Sequence, residues 1–289
     1  MTGRGKGVDG SGGSYGGSAG KISSSGLCGE TFFSIYDEQI GSMDVWEDVT
    51  SDPVWGGRGS GGGEIGGGVG GGLIMISGST VDISNGKIYS SGSVSSLTGV
   101  GSGSGGGISI IAGESFLSTN ADLRVNGGMA VNDRDIAGGS GGRISVKVPM
   151  SFDMSLTFWL QGGGNDAAVK HSCLVGASGT LLWMDTNLAT VSLVIHNGGS
   201  VGRAVTLLTE VPVLNALTSM LIDGGAATGL VNVESTNNYL EVSHESSLVG
   251  YHSVLKLTSM TATSFENGKE YDSVAALEMP LYNIIIHRF

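Results

Sequence analysis

Two landmarks recur along this chain at one spacing, and that spacing constrains its fold more than any other feature. A glycine-containing step precedes a short apolar run four times. Gly71-Gly72 precedes Leu73-Ile74-Met75-Ile76, and Gly106-Gly107 precedes Ile108-Ser109-Ile110-Ile111. Gly141-Gly142 precedes Arg143-Ile144-Ser145-Val146, and Ser178-Gly179 precedes Thr180-Leu181-Leu182-Trp183. The second glycines fall at 72, 107, 142 and 179. The other landmark is an apolar triplet leading into glycine: Lys87-Ile88-Tyr89, Leu123-Arg124-Val125, Phe158-Trp159-Leu160 and Leu193-Val194-Ile195, followed by Gly92, Gly127, Gly162 and Gly198. Both landmarks repeat about every 35 residues, a period of the size that marks stacked repeats. Glycine scattered at random would not hold one period in two places.

Helical repeats often have this length, but the composition rejects them. The chain carries 53 glycines in 289 residues, against about 7% in average usage. Each glycine inside a helix costs about 1 kcal/mol relative to alanine. The apolar runs are short, β-branched and bounded by glycine, which predicts strands over 73–76, 81–83, 87–89, 108–112 and 123–125. Stacking equivalent strands predicts an all-β chain, a parallel β-helix with Gly-rich loops and neighbouring coils about 4.8 Å apart. Its expected hand is right, the hand that dominates parallel crossovers. The Asn-Gly-Gly steps at 126–128 and 197–199 are expected to turn through the left-handed backbone region, which Asn and Gly tolerate.

Three zones follow. Residues 1–70 are a Gly/Ser-rich start with an acidic aromatic insert from Cys28 to Trp55, carrying Tyr36, Trp46, Asp44, Glu47, Asp48 and Asp52. Residues 71–200 are the Gly-rich repeats. Residues 201–289 lose the glycine but keep strand-like runs such as Met220-Leu221-Ile222 and Val254-Leu255-Lys256-Leu257, and are expected to continue the coils.

Charge narrows the partners. The net charge is −12, which argues against nucleic acid, whose binding needs clustered Lys and Arg. No run approaches the 18 or so apolar residues of a membrane-spanning helix. The N-terminus Met1-Thr2-Gly3-Arg4 leads into no apolar signal region. The chain is therefore expected to be either cytosolic or a piece of a longer secreted protein, the second being favoured by its Gly/Ser start and its end within an apolar run. Cys28 and Cys173 allow one bridge or two thiols. No Asn-x-Ser/Thr sequon occurs.

Taken together, Gly-Ser-Tyr-Gly-Gly (13–17), the acidic aromatic insert, Gly-Ser-Gly-Gly-Gly (59–63), the Gly-Gly-x-Ile-x-Ile strands, Asn-Gly-Gly and Gly-Ala-Ser-Gly-Thr-Leu-Leu-Trp (176–183) form a pattern. It resembles the glycine-rich parallel β-helix segments of very large secreted or surface proteins of bacteria and protists. The resemblance covers residues 1–200. It implies a secreted or surface-displayed structural segment without catalytic residues. Trp183-Met184 depart from the Tyr-Leu type of strand usual there.

Many β-helices cleave polysaccharides, so catalysis needs weighing. Glycoside hydrolysis uses two carboxylates at fixed separation. Asp133 and Asp135 share a face if extended, but Asn132, Arg134 and Gly138 beside them suggest a solvated loop. Asp44, Glu47 and Asp48 are oxygen donors of the kind calcium takes, yet read more simply as an exposed acidic loop. Gly5-Lys6-Gly7-Val8-Asp9 partly matches a calcium-binding nonapeptide but occurs once, where that mechanism needs stacked copies. Gly20-Lys21-Ile22 fails the phosphate-loop pattern. His171, His196, His244, His252 and His287 show no metal-binding spacing. No residue is assigned as catalytic, cofactor-binding or metal-binding, and no cofactor is expected. The expected function is a rigid stalk, display or assembly element of a larger extracellular or surface protein, contacting copies of itself or flanking coils. The rivals are a carbohydrate-binding or carbohydrate-cleaving β-helix, using exposed aromatic rings of the 36–55 insert, and an extracellular filament subunit.

Overall fold

A computed structural model describes residues 67–131, 136–151, 156–164, 174–199, 206–209, 218–231, 234–242, 247–251, 253–265, 269–271, 277–281 and 285–287. These residues are rich in strands, with parallel sheets and almost no helix. The chain is all-β in this part.

The first eight strands are β1 (Leu73–Asp82), β2 (Lys87–Tyr89), β3 (Gly107–Leu117), β4 (Asp122–Arg124), β5 (Arg143–Val148), β6 (Thr157–Trp159), β7 (Gly179–Asp185) and β8 (Thr190–His196). β1, β3, β5 and β7 lie side by side and parallel, with Ile74, Ile108, Ile144 and Leu181 in one row. β2, β4 and β6 form a second parallel sheet, with Ile88, Leu123 and Phe158 in one row. The repeated apolar runs thus become repeated rows, because side chains at the same phase of a strand face the same way.

Those rows make the core. Ile108, Ile110, Leu123, Ile144, Val146 and Leu181 are fully buried and pack into one cluster with Leu160 and Trp183. Trp183 stands in the row of Ile110 and Val146. Its larger ring is accommodated by an edge contact with Phe116, centroids 5.9 Å apart, and by Nε1–H donating to the Met150 carbonyl at 2.9 Å. The departure seen in the sequence is therefore a core residue.

Glycine-rich tracts build a third layer, in which backbone lies against backbone. Three short tracts follow one rule: Gly68 N–H donates to Gly101 O and Gly71 to Ser104 O; Ser102 donates to Ala137 O and Gly105 to Ser140 O; Gly138 donates to Leu174 O and Gly141 to Ala177 O. The donors advance by three residues, the period of an extended polyproline-II-type helix, which makes no internal hydrogen bonds. Here the neighbouring tracts supply the partners. Packing is close enough that a Cβ on Gly105 would overlap the Val125 carbonyl, and one on Gly142 the Gly106 carbonyl.

Two expectations are corrected. At 126–128 the glycines serve this close approach: positive φ is absent there, and a Cβ on Gly127 or Gly128 would strike Gly139 O or Ser93 O. Only Gly198 and Gly199, at φ 61° and 85°, turn as expected. The left-handed asparagines are instead Asn85 (57°) and Asn120 (55°), which stack 35 residues apart with Asn120 Nδ2 donating to Asn85 Oδ1. Second, Leu193–His196 does not extend the small sheet. β8 turns back antiparallel on β7, pairing Leu182 with Leu193. Both residues are fully buried, so burial, not the repeat phase, decides where that run goes.

Beyond β8 come β9 (Thr206–Thr209), β10 (Ser219–Asp223), β11 (Ala227–Val231), β12 (Glu234–Val242), β13 (Ser247–Tyr251), β14 (Ser253–Phe265), β15 (Lys269–Tyr271), β16 (Leu277–Leu281) and β17 (Ile285–His287). β8, β10, β12 and β14 continue the large sheet in parallel, and β9, β11 and β13 form another parallel row. Met220, Leu240 and Met260 align, so the interval here falls to 20 residues. β15 and β16 then pair antiparallel with β14, and β17 with β13.

Candidate functional site

The three-stranded sheet places one residue of each strand in a surface column. Tyr89, Arg124 and Trp159 are in register across β2, β4 and β6. The Arg124 guanidinium lies over both rings, 4.7 Å from the Tyr89 centroid and 5.3 Å from that of Trp159. Strand spacing makes this possible, since rings one strand either side of an arginine lie within stacking reach.

Asp122 completes the group. It sits two residues before Arg124 and so shares its face. Arg124 donates to it from Nε at 2.9 Å and from its terminal nitrogen at 2.6 Å, and the Tyr89 hydroxyl donates at 2.8 Å. The Arg124 hydrogen bonds hold the Asp122 carboxyl below its usual value of 3.8. The same carboxylate raises the Tyr89 phenol, because losing the phenolic proton would break the hydrogen bond to Asp122. Tyr89 is 46% exposed. Trp159 Nε1 is shut off from solvent without a hydrogen-bond partner. Chemically the column offers an aromatic face with a fixed cation and a carboxylate already bonded to its neighbours.

A ladder of polar side chains runs close by. Ser91 Oγ accepts from Asn126 N–H, Asn126 Oδ1 from Gln161 N–H, and Asn197 Oδ1 from Gly162 N–H, each across 35 residues. His196 Nδ1 lies 3.3 Å from Asp223 Oδ2, and its ring meets Phe158 edge-on.

Of the residues weighed in the sequence, His196 is described, and His287 lies in β17. Asp133, Arg134 and Asp135, the 28–55 insert with Asp44, Glu47 and Asp48, Gly5–Asp9, Gly20–Ile22, Cys28, Cys173, His171, His244 and His252 lie outside the described residues. Gly138 is not in a solvated loop: it is buried, and a Cβ there would overlap Gly163 O. Among the described residues no three His, Cys, Asp or Glu groups converge on a metal position, and no helix is long and apolar enough to cross a membrane. Sequence reasoning missed the Tyr89–Arg124–Trp159 column, although its members stand 35 residues apart.

Comparison with family models, with curated proteins and with solved structures returns no match.

Proposed function

We propose that the chain is a parallel β-helix, right-handed, whose coils form a rigid structural segment of a larger secreted or surface protein. The observation that supports this best is the repeat of bonds from β1 to β7: strand rows, glycine tracts and the Ser91–Asn126–Gln161 ladder there all join residues about 35 apart. Such bonding fixes each coil against the next in every layer, and that suits a stalk or display element. The role is non-catalytic, and its partners are flanking coils or further copies. Small-angle scattering of the full chain tests it. The expected particle is a rod that lengthens by about 4.8 Å per coil; a spherical particle would overturn the reading.

One observation favours a second reading, a carbohydrate-contacting face: the half-exposed Tyr89 ring in a column with Trp159. Saturable quenching of tryptophan emission by oligosaccharides, lost in Tyr89→Ala, would support it.

A further inference from the structure

Charge sets the Tyr89–Arg124–Trp159 column apart from the rest of the chain. Over 85–91, 120–126 and 155–161, which are β2, β4 and β6 with their flanks, the charged residues are Lys87, Asp122 and Arg124. Two cations against one carboxylate leave +1, within a chain of −12. One of these cations is held in place. Arg124 donates from Nε and Nη2 to Asp122, and its guanidinium lies between two rings at 4.7 and 5.3 Å. A guanidinium carries five N–H donors in one plane. Among the described residues Nη1 has no acceptor, and it is not buried. The side chain is 40% exposed, so that edge is open to solvent. A flat donor edge of this kind matches a carboxylate, which accepts two parallel N–H bonds. Holding the arginine beforehand removes part of the entropy cost of binding.

The surroundings indicate what carries the carboxylate. Tyr89 is a half-exposed ring. Trp159 Nε1 is shut off from solvent, so whatever solvent meets of that side chain is carbon. The parallel ladder continues past the strands, with Ser90 N–H donating to Arg124 O and Gly92 N–H to Asn126 O. Ser91 and Asn126 therefore share the outward face of Tyr89 and Arg124. Ser91 Oγ and Asn126 Oδ1 act as acceptors within the ladder. The Ser91 hydroxyl proton and the Asn126 carboxamide N–H groups remain as donors among the described residues. One surface thus holds aromatic carbon for the C–H face of a pyranose, donors for its hydroxyls and a guanidinium for an acid group.

We propose that this face binds an acidic sugar, with its carboxylate on the open edge of Arg124, its ring against Tyr89 and its hydroxyls on Ser91 and Asn126. Lys87, two residues before Tyr89 on the same face, adds attraction for the anion at longer range. This names the ligand class for the carbohydrate-contacting reading of the previous section and rests on it. An acidic peptide is the rival for the same guanidinium. The exposed ring beside a row of small donors favours a hydroxylated ring over a peptide side chain.

Tryptophan emission of the full chain, titrated with an oligoglucuronate and with its methyl ester, tests the proposal. The ester keeps the rings and removes the charge. The acid is expected to bind about tenfold or more tightly than the ester, the size of a charge-assisted hydrogen bond. Added salt should narrow that gap. Arg124→Gln should bring the acid down to the ester. Lys147→Gln, which removes a positive charge from β5 in the other sheet, should leave both affinities unchanged. Amide exchange supplies the second measurement in the unsubstituted chain: the acid should slow exchange at 89–91 and 124–126, and unchanged rates there would overturn the proposal. Equal affinities for acid and ester would also overturn it while leaving the carbohydrate reading in place. An equal loss in Lys147→Gln would reduce binding to general charge, and polyglutamate bound as tightly as the acid would give the face to acidic peptides; either overturns it. Binding of neither sugar defeats this proposal and the reading beneath it together.

Discussion

The carbonyl oxygen of Val125 occupies the space that a side chain on Gly105 would need, and Gly142 N–H donates to that same carbonyl. A β-carbon here meets backbone, which cannot swing aside as a side-chain tip can. Gly105→Ala is therefore expected to destabilise the chain by about 2–4 kcal/mol, the range of severe core overpacking or beyond. Gly113, on an exposed stretch of β3 with only ordinary contacts around it, is the control, and Gly113→Ala should stay within about 1 kcal/mol. Denaturant titration of both variants checks the pair, and similar midpoints would remove the close-packed tract as a stabilising layer.

Trp183 fills its row with one large ring and satisfies the Met150 carbonyl. Trp183→Ala should cost about 3–5 kcal/mol, transfer and cavity together. Trp183→Phe keeps most of the volume but strands that carbonyl, so its loss should be nearer 1–3 kcal/mol. Thermal unfolding that ranks the two variants in the opposite order would contradict this packing.

The Asn197 carboxamide oxygen holds the Gly162 amide in a buried position at 2.8 Å. Asn197→Ala leaves that amide without its acceptor, at about 1–3 kcal/mol. Asn197→Asp keeps an acceptor but buries a carboxylate at a position 2% exposed, so it should also destabilise at neutral pH and regain stability as the carboxyl protonates. Unfolding midpoints measured at neutral and acidic pH distinguish the two.

Asp122 gives the column a pH dependence of known sign. Its folded carboxyl titrates below the usual 3.8 because Arg124 and Tyr89 donate to it. A depressed acid stabilises the fold fully above its unfolded value near 3.9, and the contribution vanishes as the pH falls through the lower folded value. The effect is small, about 1 kcal/mol or less, since the pair is near the surface. Stability measured from pH 6 down to pH 2 should therefore fall less steeply below pH 4 in Asp122→Asn than in the unsubstituted chain. Parallel curves would mean that the column contributes nothing in solution.

Much of the sheet order was legible because burial repeats. Ile74, Ile108, Ile144 and Leu181 share a phase in the sequence and a row in the fold, and β2, β4 and β6 begin where Lys87, Leu123 and Phe158 predict, within a residue. The reversal at β8 was hidden. Leu193-Val194-Ile195 has the composition of the earlier triplets, and its partner is chosen by the long-range burial of Leu182 against Leu193. The shortened interval after residue 200 was hidden for a related reason: Gly224 and Gly225 turn the chain after β10 at φ 64° and 79°, but no second glycine pair follows to show a period. The glycine role at 126–128 was misplaced because positive φ and close approach both select glycine, and only the neighbouring carbonyl tells them apart. The Tyr89–Arg124–Trp159 column carried its own signal in the spacing, but three different residue types at one phase do not look like a repeat.

The glycine layer also has a thermal consequence. It is backbone packed on backbone, so unfolding it exposes polar amides and little hydrocarbon. Polar exposure lowers the heat-capacity increment that hydrocarbon exposure raises. Each glycine freed also regains more conformational entropy than any other residue. A chain built this way should have a stability curve flatter than its length suggests, with its strength drawn from enthalpy and surrendered to entropy as the temperature climbs.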